Sequence, residues 1–252
     1  MAQIGITMTK DNVFDPIINK IINQDIKEFA KFLIVHECPS YFYEIGASST
    51  GKYHPTFSIG ELGLARHTCA LIQFLTWILD LEYMRKKITI RQADLMIVAG
   101  LVHDWRKLGE GDNPQKYTLH THPLLAAKMI RKYKNSFLKK EEIEFIARCV
   151  ESHMGEWNTD KKNPDKSPLP KPEDEFQFLV HLADYLASRK ILDMEFANWV
   201  KPELPSIDSY ILEFGKHKGK TLIEIAEQDK GYIDWLKENY SKEPVRSLVM
   251  RI

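Results

Sequence analysis

Residues 93–104 read ADLMIVAGLVHD, and the fold turns on how they are interpreted. From Leu95 to Val102 no polar side chain interrupts the run, so a helix here is buried all round rather than along one stripe. It closes on His103 and Asp104, an ionisable pair whose burial is unfavourable unless something inside the protein compensates it. Working outward, the same anomaly recurs. His67, in GLARHTCALIQFLTWIL, shares a face with Leu71, Leu75 and Ile78 at helical spacing. His153 ends EEIEFIARCVESH on the stripe of Ile146 and Val150, and Asp184 lies among Leu179, Val180, Ala183 and Leu186. Each position alone is compatible with a hydrogen-bonded core residue. Four of them on four apolar helices point to a metal ion, which offers positive charge to the aspartates and accepts the lone pairs of neutral imidazoles.

Around this centre the chain is 252 residues long, with 35 basic and 35 acidic residues, and is 44% hydrophobic and 28% charged. That composition fits a soluble globular protein with one substantial core. The balanced charge excludes a globally basic nucleic-acid coat while leaving room for a local basic patch. No apolar stretch approaches the roughly 20 residues that span a bilayer, and the start MAQIGITMTKDN has no signal-peptide apolar region. Cys38, Cys69 and Cys149 form no close pair, so the expectation is a reduced, cytoplasmic protein without a disulfide framework.

Apolar periodicity predicts one amphipathic helix over Phe14–Val35, an aromatic-rich ordered loop over Pro39–Ile59, and helices over Glu61–Arg85, Thr89–His103, Pro123–Tyr133, Lys139–His153 and Glu173–Lys190. Asn158–Pro172, with four prolines, is a loop. A second composition break at Lys201–Pro205 introduces SYILEFGKHKGKTLIEIAEQDKGYIDWLKENY: a short strand, a Gly/Lys turn and two short helices. The expected organisation is an N-terminal helix and substrate-proximal loop (1–59), an all-α core (60–200) and a small C-terminal α+β appendage (206–252).

The ordered ligands resemble the H…HD…D pattern of the HD-domain metal-dependent phosphohydrolase superfamily, an all-helical bundle. His67 matches its first histidine, His103-Asp104 its doublet and Asp184 its last aspartate. AGLVHDWRKLG is similar to the HDxGK neighbourhood, with Lys107 on the lysine position and Trp105 and Arg106 departing from the usual small residues. HTHPLLAAKMI and CVESHMGEW resemble the segments that supply two further histidines in binuclear members, here His122 and His153. The stretch from SHMGEW to HLADYLASR is similar to YhaM-type 3′–5′ exoribonucleases. The residues before His67, however, read as helix and loop, not as the OB fold those enzymes carry, which puts a processive role in doubt. The N-terminal loop ASSTGKYHP resembles bacterial and phage HD hydrolases. FGKHKGKTLIEIAEQDKGYIDWLKEN is similar to the C-terminal module of exodeoxyribonuclease X-like proteins.

The resemblance implies a phosphohydrolase acting on nucleotides or nucleic acid, bacterial or phage-encoded, with a divalent metal cofactor drawn from Mn, Fe, Ni, Co, Zn or Mg. In the two-ion form, metals about 3.5–4 Å apart generate hydroxide at neutral pH and clamp the phosphoryl oxygens. His67, His103 and Asp184 then hold one ion, His122 and His153 the other, and Asp104 bridges. In a one-ion form His67, His103, Asp104 and Asp184 are the ligands, and His122 and His153 contact substrate. Asp104 and Lys107 are the expected catalytic residues. Lys107 either neutralises a phosphate oxygen and assists the leaving group or is a surface lysine at a helix end. Arg189 either forks onto phosphate or caps its helix. Lys52 and His54 are weaker candidates for substrate contact, and His181 reads as supporting a ligand or as purely structural. Tyr41, Phe42, Tyr43 and Tyr53 either stack a base or pack the loop, with packing favoured. Lys216, Lys218 and Lys220 are equally compatible with phosphate binding and with a solvated turn. A nuclease or phosphodiesterase is preferred. A dNTP hydrolase, a cyclic (di)nucleotide phosphodiesterase and a non-catalytic nucleic-acid-binding module are the alternatives, and homo-oligomerisation stays open.

Overall fold

The computed structural model describes residues 9–48, 54–110, 114–134, 136–160, 163, 167–189, 204–240 and 244–252. Among the described residues the regular structure is helical apart from one isolated bridge. In chain order the helices are α1 (Asp15–Ile18), α2 (Gln24–His36), α3 (Gly63–Leu79), α4 (Glu82–Lys87), α5 (Ile90–Val102), α6 (His122–Arg131), α7 (Lys140–Glu151), α8 (Glu175–Ala187), α9 (Leu222–Gln228), α10 (Lys230–Asn239) and α11 (Val245–Val249).

Helix α5 is the axis. Thr89 caps its N-terminus with Gln92 in a reciprocal capping box, and every residue from Asp94 to Val102 is buried. Helices α3, α7 and α8 pack against α5, α8 also lies along α3, and α6 covers α7. The resulting core joins Leu71, Leu75, Met96, Val98, Ile146, Val150 and Val180 with the N-terminal Ile17, Phe29 and Leu33. Tyr41, Phe42 and Tyr43 are buried in or against it, and the Tyr41 hydroxyl donates to the Trp105 carbonyl at 2.9 Å. Those rings pack the loop down. Tyr53 lies outside the described residues.

Two predicted helices are broken. The Phe14–Val35 helix parts into α1 and α2 because the buried Asp94 carboxylate reaches across from α5. Its Oδ2 accepts from the Ile22 amide (3.0 Å), the Asn23 amide (2.7 Å) and the Asn23 side chain (2.7 Å). These donors sit at the start of α2, where a helix leaves its first N–H groups without partners. The Glu61–Arg85 helix stops at Leu79 and restarts at Glu82.

Residues 204–252 build a separate small core from Leu212, Leu222, Ile225, Ile233, Leu236, Val245, Leu248 and Val249. Here the predicted strand contracts to a single antiparallel bridge, Ile211 to Thr221. Among the described residues nothing extends it into a sheet, and an isolated pair that short has little stability of its own. The two short helices expected in this stretch are α9 and α10, and α11 follows beyond it.

Candidate metal centre

The ends of the core helices converge. His67 projects from the second turn of α3, His103 caps α5 and Asp104 follows it. His122 opens α6, His153 lies just beyond α7, and Asp184 sits in the last turns of α8. The four histidines and Asp104 are at most 3% exposed. Asp104 Oδ1 lies 3.0 Å from His122 Nε2 and 3.9 Å from His153 Nε2, and its Oδ2 lies 3.5 Å from His103 Nε2. Asp184 Oδ1 is 2.9 Å from His67 Nε2 and 3.7 Å from His103 Nε2. Two sets of donor atoms close enough for one ion emerge, His67–His103–Asp104 and Asp104–His122–His153, with Asp104 common to both.

Tautomers can be assigned from the partners. Nδ1 of His103, His122 and His153 lies 2.7–2.8 Å from the carbonyl three residues earlier, on Gly100, Leu119 and Val150 respectively. A carbonyl only accepts, so each Nδ1 carries the proton, and in the neutral ring each Nε2 is a bare lone pair aimed inward. His122 Nε2 and His153 Nε2 therefore face each other at 3.2 Å. His103 Nε2 is buried without a hydrogen-bond partner, as is His67 Nδ1. Facing lone pairs and an orphaned buried nitrogen beside two carboxylates are what a divalent cation satisfies, so the donor set fits a metal.

The electrostatics show a proton and a metal ion competing for the same point. Burial would raise the Asp104 carboxyl, but Lys107 and His103 outweigh it and hold the group well below the usual carboxylate range. Burial likewise opposes ionisation of Asp184, and the bond to His67 with the charge of His103 overcomes it. Desolvation, with His103 and His122 alongside, pushes His153 down to about 3, so it stays neutral. At His103 burial disfavours the cation, yet Asp104 and Asp184 win and raise its pKa. The two carboxylates thus concentrate negative potential on this point.

The centre floors a cleft of about 560 Å³ whose walls include His54, Lys107, Trp157, Tyr185 and Arg189. The Lys107 ammonium donates to Asp104, which places it at the site rather than on the open surface. Arg189 donates from Nε to the Tyr185 carbonyl at 3.2 Å. His54 packs edge-on to His67, ring centroids 5.5 Å apart, and burial drives its pKa down to about 3. Its loop is pinned by Arg66, which donates to the carbonyls of Phe57 and Ile59, and by a close approach at Gly63, where a Cβ would come within 2.5 Å of the Ser58 carbonyl. Lys52 lies outside the described residues. His181 supports the centre from behind, its Nδ1 donating to the His153 carbonyl at 2.7 Å. Gly155, at φ +53°, lets that ring approach: a Cβ there would stand 2.2 Å from it.

The basic turn of the small module differs. Lys216, Lys218 and Lys220 are all exposed, but Lys216 pairs with Asp229 at 2.6 Å and Lys220 donates to Gln228. Two aromatics of the cleft, Trp157 and Tyr185, are absent from the sequence-based site. Their signal was present only as adjacency, since Trp157 follows His153 by four residues and Tyr185 follows Asp184 directly.

An all-helical bundle that gathers histidines and aspartates from five helix ends defines a class of metal-dependent hydrolases. The HD domain family model matches residues 64–189, and the Exodeoxyribonuclease X-like C-terminal model matches residues 212–241. The chain belongs to the HD-domain family and is, at that level, a metal-dependent phosphohydrolase. No curated protein and no solved structure matches it. Among the described residues no helix is long and apolar enough to cross a membrane.

Proposed function

We propose that this protein is a nuclease or phosphodiesterase whose metal centre comprises His67, His103, Asp104, His122, His153 and Asp184. The observation that carries the reading is Asp104 shared between two donor sets, one with the inward-facing Nε2 lone pair of His103 and the other with those of His122 and His153. A carboxylate has two oxygens to divide between two ions, and an imidazole has one lone pair, so Asp104 is the residue suited to bridging. Divalent ions bound there supply charge for the phosphoryl oxygens and a water acidic enough to ionise near neutral pH.

The protein's own contribution is positional. Three backbone carbonyls hold His103, His122 and His153 in the ligating tautomer before anything binds. Lys107, already on Asp104 within the cleft, neutralises a phosphate oxygen and assists leaving-group departure. Arg189, also in the cleft wall, offers a second cation. The preference for a polymeric substrate rests on the exodeoxyribonuclease X-like module at 212–241, with Lys218 and, once released from their neighbours, Lys216 and Lys220 meeting the phosphate backbone.

A panel of bis-p-nitrophenyl phosphate, single-stranded DNA and RNA, cyclic dinucleotides and dNTPs, assayed with Mn²⁺, Fe²⁺, Ni²⁺, Co²⁺, Zn²⁺ and Mg²⁺, tests the reading. Cleavage of DNA or RNA with metal, abolished by chelation, is expected. Turnover restricted to mononucleotides would replace the nuclease by a nucleotidase, and no turnover with full metal loading would reduce the protein to a binding module. Removing residues 205–252 is expected to weaken polymer cleavage and spare the chromogenic ester. Equal loss on both would make the module structural.

A further inference from the structure

Trp157 and Tyr185 stand in the wall of the cleft with their rings nearly parallel, 10° apart in plane and 5.4 Å between centroids. The guanidinium of Arg189 lies 4.1 Å from the Tyr185 centroid and 5.7 Å from that of Trp157. Trp157 remains 45% exposed, so its indole does not close the core. Large aromatics are ordinarily placed to bury area, and one left open in the wall of a polar cleft presents a π-face to whatever enters.

The ledge is rigid. On one side the Trp157 amide donates to the Met154 carbonyl at 3.0 Å, and the turn carrying it is clamped between His181, bonded to the His153 carbonyl, and Asn158. Asn158 in turn exchanges bonds with Leu169 at 2.8 and 2.9 Å. On the other side Tyr185 is the residue after Asp184 on α8, and Arg189 follows four residues later, just past the Ser188 C-cap of that helix. No carboxylate among the described residues pairs with Arg189, whose side-chain bond to a described residue runs from Nε to a carbonyl and does not use the terminal nitrogens. Flat aromatic area, a guanidinium that no described carboxylate pairs and a metal-ligating floor in one cleft match a planar heterocycle carrying an adjoining phosphate.

We infer that Trp157, Tyr185 and Arg189 form a nucleobase subsite, in which a base stacks on the open face of Trp157 and Arg189 receives the oxygens of the phosphate next to it. This rests on the phosphoesterase reading and narrows its substrates to those bearing a base beside the scissile phosphate.

Calorimetric titration of the full, Mn²⁺-loaded protein tests it, using hydrolysis-resistant phosphorothioate-linked dT5, the abasic counterpart of equal length, dTMP and ribose 5-phosphate. The wild type is expected to bind each base-bearing ligand at least about tenfold more tightly than its base-free partner. Trp157→Ala should erase that ratio, and Trp157→Phe should keep most of it. Arg189→Ala should weaken base-bearing and base-free ligands alike. A preference for dT5 over dTMP would make the subsite one for a strand end, and equal affinity one for a single nucleotide; either supports the subsite. Equal binding with and without the base in the wild type, or an undiminished ratio in Trp157→Ala, would overturn it. Manganese content of Trp157→Ala, expected to match the wild type, shows that the centre is intact. The base preference is read without turnover, so a protein that prefers bases yet hydrolyses nothing would sink the enzyme reading and leave the subsite standing. A hydrolase indifferent to the base would do the reverse.

Discussion

Two aspartates meet the same kinds of partner in opposite surroundings. Asp104 has Lys107, His103 and His122 around its carboxylate and is 3% exposed. Asp229 has Lys216 at 2.6 Å and His217 at 2.9 Å, near the surface of the small module. At Asp229 every group has an evident partner, and its Oδ1 also accepts the Tyr232 amide at 3.0 Å to cap α10. At Asp104 the surrounding imidazoles retain lone pairs that nothing among the described residues satisfies. Charge clusters are common; a buried one left incomplete is the signature of a ligand. Asp94 adds a third case, buried like Asp104 but saturated by three donors. Burial alone therefore marks structure or function, and the orphaned atoms decide which.

The largest effect is expected at Asp104. Asp104→Asn should lose detectable metal-dependent phosphoester hydrolysis and bind less manganese by elemental analysis, because an amide cannot bridge two cations as a carboxylate does. Measured without metal, its melting temperature should stay near that of the metal-free wild type, since the carboxylate serves metal binding more than the fold. A protein that unfolds on this substitution but hydrolyses normally while folded would erase the contrast with Asp94.

Asp94→Ala should do the opposite. Removing an acceptor from three donors, two of them backbone amides, costs about 3 kcal/mol, read as a drop in the urea midpoint at unchanged metal stoichiometry. Next comes Gly155→Ala. A positive φ and a Cβ on the His181 ring together cost about 2 kcal/mol, and the displaced His181 should also lower metal affinity through the His153 carbonyl it holds. Stability lost with metal affinity unchanged would separate His181 from the centre.

How far these roles could be seen in advance follows from the range over which each is set. His67, His103, His153 and Asp184 stood out because each interrupts an apolar helical stripe, a pattern contained within one turn or two. His122 and His153 as a pair came from the resemblance, and the carbonyls that fix their tautomers were not visible at all. The break before α2 was missed because its cause, Asp94, lies about 70 residues further along the chain. SYILEF alternates like a strand, but a strand needs a partner, and here only Thr221 answers Ile211. Trp157 and Tyr185 escaped for a similar reason: stacking is made by two segments meeting, and neither segment advertises it.

The smallest effect is expected at Asp229. Lys216 and His217, with the Tyr232 amide, hold its carboxyl below its ordinary value of 3.8 in the folded protein. A depressed folded pKa contributes stability in full above the unfolded value and loses it as pH falls through the folded one. Asp229→Asn keeps an oxygen for the α10 cap and removes only the charge, so the variant should be slightly less stable than wild type at pH 7. The gap should narrow below about pH 4 and shrink in high salt, as for any exposed pair. Urea midpoints at both pH values and two salt concentrations read it directly. A loss at Asp229 comparable to that at Asp94, unaffected by salt, would mean that the exposed cluster also sustains its fold through charge, and the distinction drawn between the two regions would fail.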